Sequence, residues 1–196
     1  PLESLQLGFQ TILSAPGFLY LNEGEGELDN YALASRLSYF LWSSMPDAEL
    51  FELAEQGKLV DPAILTQQVE RMLDDAKSER LIRNFLRVWL ELDNIGKMPP
   101  SREFVSFYRD NLEAAMRKET NLFFQHVLQE NLHPIELLSA DYSFINRELG
   151  EHYGISGLEG NEFRKVSLSG GERGGILGHG SFLTASANGV DTSPVV

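Results

Sequence analysis

The residues most able to do chemistry lie in a glycine-rich stretch near the carboxyl end of the sequence. The string RGGILGHGSFLT contains Arg173, Gly178, His179 and Gly180. An imidazole between two glycines can contact a metal or a haem, because glycine has no side chain to hold a flat ligand away. A nearby guanidinium can pair with a carboxylate or a propionate. The structural alternative is that the glycines admit another helix and His179 is a hydrogen-bonded polar residue.

The glycines of this stretch do not complete a nucleotide-binding loop, although Gly175 and Gly180 have the spacing of the two phosphate-loop glycines. A phosphate loop ends in Gly-Lys followed by Ser or Thr, because the lysine neutralises phosphate charge, whereas Gly180 is followed by Ser181. A dinucleotide-binding loop has the order G-x-G-x-x-G, and Gly175, Gly178 and Gly180 run in the reverse order. The stretch is therefore predicted to be a close-contact surface for another helix or a flat ligand.

Acidic residues are of interest at two places. Glu119 lies among apolar residues of a predicted helix, and its predicted partner is Arg117, Lys118 or a group on another helix. Residues 23–29 alternate acidic and small residues, which superficially resembles a calcium loop. Calcium loops place Asp and Asn at fixed positions and end in a bidentate Glu, and this loop lacks that order. A solvated turn is predicted, with a calcium site as the alternative.

Two Glu–His pairs are spaced for one helix face, but neither completes a metal motif. Glu130 lies three residues before His133, and Glu148 lies four before His152. A di-iron bundle needs two Glu-x-x-His motifs, and the zinc motif HExxH is absent from the sequence. We expect surface or capping roles for both pairs and no bound metal. No G-x-S-x-G element supports a serine nucleophile, whereas paired carboxylates for glycoside cleavage stay an alternative because their separation is spatial.

Composition limits the classes of partner. The chain of 196 residues carries a formal net charge of −13, which a nucleic-acid backbone or an anionic membrane would repel. It contains no cysteine, so disulfides, thiolate catalysis and cysteine-ligated metals are excluded within it. No apolar run approaches the roughly 18 residues that span a bilayer. We therefore expect neither a nucleic-acid partner nor a transmembrane segment.

Helices must position these residues, because apolar residues recur at helical spacing through most of the chain. One predicted helix covers YALASRLSYFLW, with Phe40 and Leu41 on its inner face. Another covers SERLIRNFLRVWLEL, with Phe85, Val88 and Trp89 inward. The predicted fold class is all-α, a multi-helix bundle-like domain followed by a glycine-rich partial domain.

Cap and break signals set the expected limits of several elements. Asp29 or Asn30 is predicted to cap the first of these helices, and the chain is predicted to become helical again at Ser44. Residues 102–131 are predicted to form one long helix. The string FRKVSL is the one predicted extended segment.

Four long strings resemble the planctomycete-type cytochrome c protein family, whose members contain several domains of unknown function. They are YALASRLSYFLWSSMPDAELFELAEQGKL, MRKETNLFFQHVL, LLSADYSFINRELGEHYGI and RGGILGHGSFLTASANGVDTSPV. The strings occur in family order and span nearly the whole chain. The resemblance implies that residues 1–27 are the tail of a preceding helical domain with an acidic loop. It implies that 28–158 form a helical domain of unknown function and that 159–196 are the truncated start of a cytochrome c-type domain.

The resemblance also implies a role within a larger protein. The leading expectation is a helical scaffold or docking module, non-catalytic by itself, in an exported haem c-containing electron-transfer protein of the periplasm or cell surface. No cofactor is expected within the segment, and haem c would belong to a downstream cytochrome c-type segment, its expected partner. His179, Arg173, Gly178 and Gly180 are then candidates to line the haem pocket. Two alternatives stay open: part of a haem-dependent oxidoreductase acting on an extracellular polymer or other substrate, and a carbohydrate- or partner-binding module.

Overall fold

The chain forms two compact units, Pro1–Lys77 and Ser78–Val196. The computed structural model describes residues 2–20, 23, 25–97, 111–168 and 173–187. These residues are mainly helical, and the strands among them form one two-stranded sheet. The predicted all-α fold class is therefore confirmed.

The first unit consists of helices joined by short caps and turns. Its helices are α1 (Leu2–Ser14), α2 (Pro16–Leu19), α3 (Asn30–Trp42), α4 (Ala48–Glu55) and α5 (Pro62–Asp74). Asp29 caps α3 as predicted, since its carboxylate accepts from the Ala32 N–H at 2.7 Å. The predicted start of α4 at Ser44 is wrong. The Asp47 side chain accepts from the Leu50 N–H at 3.0 Å, so this helix begins only after Asp47.

Trp42 is the centre of packing in the first unit. Its side chain is fully buried, and its indole N–H donates to the Met72 carbonyl at 2.9 Å. The Lys77 ammonium lies 4.2 Å from the centre of the ring. Satisfying the indole N–H inside the core avoids the penalty of an unpaired buried donor, so α3 and α5 are held in one register.

The second unit contains five α-helices and two strands within the part of it that the structure describes. They are α6 (Glu79–Trp89), α7 (Leu112–Gln129), α8 (Glu136–Ser139), β1 (Tyr142–Ile145), α9 (Arg147–Tyr153), β2 (Arg164–Ser167) and α10 (Gly180–Ala185). The strands pair antiparallel, with Tyr142 opposite Ser167. The extended segment FRKVSL is confirmed by β2, whereas β1 was not predicted. Residues 102–110 of the predicted long helix lie outside the described residues, and α7 begins at Leu112.

Some residues that were predicted to face inward are exposed instead, although Leu41 of α3 is buried as predicted. Phe40 is 66% exposed, Val88 69% and Trp89 47%. Helix α6 is rotated relative to the prediction and buries Ile82 and Leu86. The sequence offers apolar residues on more than one side of α6, so periodicity alone does not select the face that packs.

Helix α7 organises the second unit. Its buried residues recur every three or four positions, and they are Leu112, Ala115, Met116, Glu119, Thr120, Phe123 and Val127. Phe123 and Val127 belong to one apolar cluster, while Leu112 and Met116 belong to another. Glu119 and Thr120 therefore occupy the buried stripe between two apolar clusters, where a polar group needs a partner.

Candidate functional site

The candidate site is a buried network of polar side chains that joins α7 to the glycine-rich segment, residues 173–187, here called the tail. Its members on α7 are Glu119, which is 1% exposed, and Thr120, which is 0% exposed. Ser143 on β1 and Ser181 on α10 are also completely buried. Burying so many polar groups is favourable only if each is hydrogen-bonded.

Hydrogen bonds lead from the tail to Glu119 through His179. Thr120 Oγ1 lies 2.5 Å from Ser181 Oγ and 2.9 Å from His179 Nδ1. On the other side of the imidazole, His179 Nε2 lies 3.4 Å from Ser143 Oγ, which is the longest link. Ser143 Oγ donates to Glu119 Oε1 at 2.7 Å.

These distances assign proton positions when Glu119 is ionised. Because Ser143 donates its only proton to the carboxylate, it must accept from His179, whose proton then lies on Nε2. His179 Nδ1 therefore accepts from Thr120, and Thr120 accepts from Ser181. Every donor in this series has an acceptor, and the series ends on the carboxylate.

Tyr153 completes the coordination of Glu119 and binds the tail backbone. Its hydroxyl donates to Glu119 Oε2 at 2.6 Å and accepts from the Gly180 N–H at 2.8 Å. The Arg173 guanidinium lies 4.1 Å from the centre of the Tyr153 ring and donates to the Gly178 carbonyl at 2.9 Å. One tyrosine thus links α9, α7 and two points of the tail.

Burial determines the protonation of the network. It raises the pKa of Glu119 to about 7, against the opposing effects of hydrogen bonds from Tyr153 and Ser143 and the charge of Arg173. It lowers the pKa of His179 to about 3, and Arg173 adds to this effect by repelling an imidazolium. Burial and the neighbouring Glu119 both raise the pKa of Tyr153. Near neutral pH, His179 and Tyr153 are therefore neutral, and Glu119 is the group that titrates.

The tail glycines allow close packing against the chain itself, as the structural alternative predicted. A Cβ at Gly180 would lie 2.7 Å from the Tyr153 hydroxyl and 3.0 Å from Met116 Cε. A Cβ at Gly175 would lie 2.5 Å from the Leu138 carbonyl oxygen, and this glycine also has a φ of +56°. Only glycine fits these approaches without displacement, so the tail is shaped to its neighbours in the second unit.

The predicted haem-pocket residues are brought together, but their surroundings do not fit a haem. His179 is 2% exposed and both of its ring nitrogens face hydroxyl groups, so neither is free to bind iron. Gly180 packs against Tyr153 and Met116, and the Gly178 carbonyl accepts a hydrogen bond from Arg173. The space beside both glycines is therefore already filled by side chains of the same chain. The described contacts therefore give no support to an iron ligand at His179, and the haem-pocket role of the four residues stays a prediction. That the tail adjoins a haem-bearing segment stays a prediction.

Other sequence candidates have local structural roles. Glu119 pairs with neither Arg117 nor Lys118: the first donates to backbone carbonyls of Leu92 and Ile95, and the Lys118 ammonium lies 4.9 Å from the Phe163 ring centre. His133 accepts from the Ile135 N–H at 3.2 Å, which is the capping type of role expected for it.

No metal centre or membrane span is found among the described residues. In that part of the chain, no three or more His, Asp and Glu side chains are grouped to hold a metal ion. In the acidic loop, the Glu23 carboxylate forms an ion pair with Arg36 on α3. None of the described helices combines the length and the apolar character that a bilayer crossing requires.

Sequence reasoning missed the hydroxyl members of the network. Thr120, Ser143, Tyr153 and Ser181 lie on four different elements, so no spacing in the sequence connects them. The available signals were local. Ser143 alternates with large apolar residues in YSFI, and Thr120 follows an acid on the buried stripe of a helix.

The fold and the network define a mainly helical module with a tail fixed to it by buried polar contacts. Residues 28–155 match the family PSD4, described as Protein of unknown function (DUF1592). The match covers more than half of the chain, and the chain belongs to this family. Comparison with curated proteins and with solved structures gave no match. The network therefore joins residues inside the family match, such as Glu119 and Tyr153, to Arg173, His179 and Ser181 beyond it.

Proposed function

We propose that the chain is a helical scaffold and docking module of an exported haem c-containing protein of the periplasm or cell surface. In this proposal the module is non-catalytic by itself, and the tail belongs to the start of a cytochrome c-type segment. The resemblance of the sequence strings supplies the haem context. The buried network supplies the physical support, because it fastens the tail to the family domain.

The network is suited to holding a segment in one position. Each buried hydroxyl, the imidazole and the carboxylate has a specific partner, and a shift of the tail would leave several of them unpaired. An unsatisfied buried polar group costs about 1–3 kcal/mol, so alternative registers of the tail are strongly disfavoured. A fixed tail would present the following segment to its surroundings in a defined orientation.

The protonation states also favour a structural role over a reactive one. Ser143 donates a hydrogen bond to Glu119 and accepts one from His179, which is opposite to the activation of a serine nucleophile by a histidine base. Both residues are at most 2% exposed, so a substrate has no access to them in this arrangement. The same groups that resemble catalytic residue types are used as internal fasteners.

The proposal is tested on the full-length protein that contains this chain, produced in a bacterial host that attaches haem c. We expect covalent haem in the absorption spectrum, and we expect Thr120→Val to lower the temperature at which the haem band changes. The control Thr66→Val removes an exposed hydroxyl that bonds only within α5, and should leave that temperature unchanged. His179→Ala should not alter the spin-state bands, because the imidazole is bonded elsewhere.

Two results would count against this function. One is a full-length protein that carries no haem. The other is a haem band whose thermal transition is the same in Thr120→Val as in the unchanged protein, since the tail would then not support the haem-bearing segment.

A further inference from the structure

Three aromatic rings form a surface cluster on α6 and α7. The ring centre of Phe85 lies 5.3 Å from that of Trp89 and 5.5 Å from that of Phe124. Phe85 is 44% exposed and Trp89 47% exposed. Grouped aromatic side chains in contact with water are typical of binding surfaces, because the free energy falls when a ligand removes the ring faces from water.

A pocket lies about one helical turn before this cluster on both helices. It has a volume of about 190 Å³ and is lined by Ile82 and Arg83 on α6 and by Lys118, Asn121 and Gln125 on α7. Ile82 and Phe85 are three residues apart on α6, as are Asn121 and Phe124 on α7. The pocket and the aromatic cluster are therefore neighbouring parts of one groove between the two helices.

The pocket combines hydrogen-bonding side chains with an excess of positive charge. Two amides can each donate and accept, and Arg83 and Lys118 add cationic donors, while Glu79 contributes one carboxylate to the lining. Cations thus outnumber anions here, in a chain whose net charge is −13. Arg83 is exposed and has no ion pair or hydrogen bond to another of the described residues, so its guanidinium can receive an external acid group.

We propose that this groove binds an acidic glycan, with a uronic acid unit in the pocket and an adjacent sugar ring on the aromatic cluster. The guanidinium fork of Arg83 matches a carboxylate, and the amides of Asn121 and Gln125 match hydroxyl groups. The C–H face of a sugar ring is weakly positive and packs on the electron-rich face of Phe85 or Trp89. This binding site is separate from the buried network and goes beyond the scaffold role.

The position of Trp89 provides a direct readout of binding. The other tryptophan, Trp42, is completely buried in the first unit, so a ligand on this groove acts on the emission of Trp89. Titration of the whole chain with an oligogalacturonide is expected to change tryptophan fluorescence saturably. Arg83→Gln and Phe85→Ala should each raise the dissociation constant by about tenfold or more, as expected for loss of one charge-assisted or stacking contact.

A matched control distinguishes a specific site from general charge attraction. Arg87 on the same helix is exposed and pairs with Asp93 at 2.7 Å, so Arg87→Gln removes the same charge outside the pocket and should leave the affinity unchanged. An uncharged cello-oligosaccharide should bind more weakly than the oligogalacturonide. Failure of the oligogalacturonide to bind, equal binding of both sugars, or equal effects of Arg83→Gln and Arg87→Gln would overturn the proposal. Circular dichroism of each variant verifies that the fold is retained.

Discussion

At the scale of residues, one proton on Glu119 sets the direction of the whole network. With Glu119 ionised, hydrogen bonds point toward the carboxylate and His179 carries its proton on Nε2. If Glu119 is protonated on Oε1, it donates to Ser143, which then donates to His179 Nε2, and the imidazole proton must lie on Nδ1. Thr120 then accepts a hydrogen bond from His179 Nδ1–H and can donate to Ser181 or to the Met116 carbonyl, 3.4 Å away. Both states are therefore fully hydrogen-bonded.

This reversal predicts a change of tautomer at His179 without a change of charge. Nitrogen-15 NMR of the imidazole should show the Nε2–H form above the Glu119 pKa of about 7 and a growing share of Nδ1–H below it. In Glu119→Gln the side chain no longer titrates, so the tautomer should not vary over this range. A wild-type imidazole that becomes doubly protonated near neutral pH would contradict the assignment, since burial holds the His179 pKa far lower.

The same two residues predict how stability depends on pH. The Glu119 pKa is raised from 4.5 to about 7 on folding. Its contribution to the free energy of unfolding, at most about 3 kcal/mol, is therefore fully present below pH 4.5 and is lost as the pH rises to 7. The His179 pKa is lowered from 6.5 to about 3, so its contribution is present above pH 6.5 and is lost as pH falls. The slopes oppose each other between pH 4.5 and 6.5.

Replacing Glu119 should reveal the pH dependence of stability that His179 contributes. In Glu119→Gln the free energy of unfolding, measured by denaturant titration, should increase more steeply from pH 4.5 to 6.5 than it does in the unchanged protein. Glu55→Gln, which alters an exposed carboxylate at the end of α4, should keep the wild-type profile. Identical profiles for the two variants would show that Glu119 does not titrate as described.

At the scale of elements, we expect substitution by alanine to destabilise the protein at one glycine of the tail and to have little effect at another. Gly180→Ala places a Cβ 2.7 Å from the Tyr153 hydroxyl, so α10 must move or lose its hydrogen bond to Tyr153. We expect a loss of about 1–3 kcal/mol in the free energy of unfolding. Gly178→Ala is the control, because its nearest neighbour would be Arg173 Cα at an ordinary 3.6 Å. Equal stability of the two variants, measured by thermal unfolding, would contradict this docking of α10.

The sequence predicts elements better than it predicts their faces. Caps such as Asp29 act through the nearest N–H groups, so local sequence suffices to place them. The packed face of α6 depends on which neighbours the fold supplies, and Phe85 and Trp89 were placed wrongly for this reason. For the candidate site, Glu119 and the tail glycines carried signals, whereas the hydroxyl partners meet only after β1, α9 and α10 have packed on α7.

At the scale of the whole molecule, the part of the family match from Ser78 onward and the segment after it share one compact unit. The antiparallel pairing of β1 with β2 and the contacts of α10 with α7 both cross the boundary predicted near residue 159. The predicted division concerns the order of domains in the family and stays a prediction. The tail belongs to the same packed unit as residues 78–158. A substitution in the network should therefore lower the stability of α10.

Hydrogen–deuterium exchange of α10 is the most direct measurement of this central claim. In the unchanged chain we predict slow exchange of the Gly180 amide, which donates to Tyr153, and of Leu183, which donates to the His179 carbonyl. Thr120→Val should accelerate exchange in α10 by disconnecting His179 and Ser181, while Thr66→Val should leave α10 unaffected. If these α10 amides exchange at unprotected rates in the unchanged chain, the tail is not docked by the network and the account of this protein as a scaffold fails.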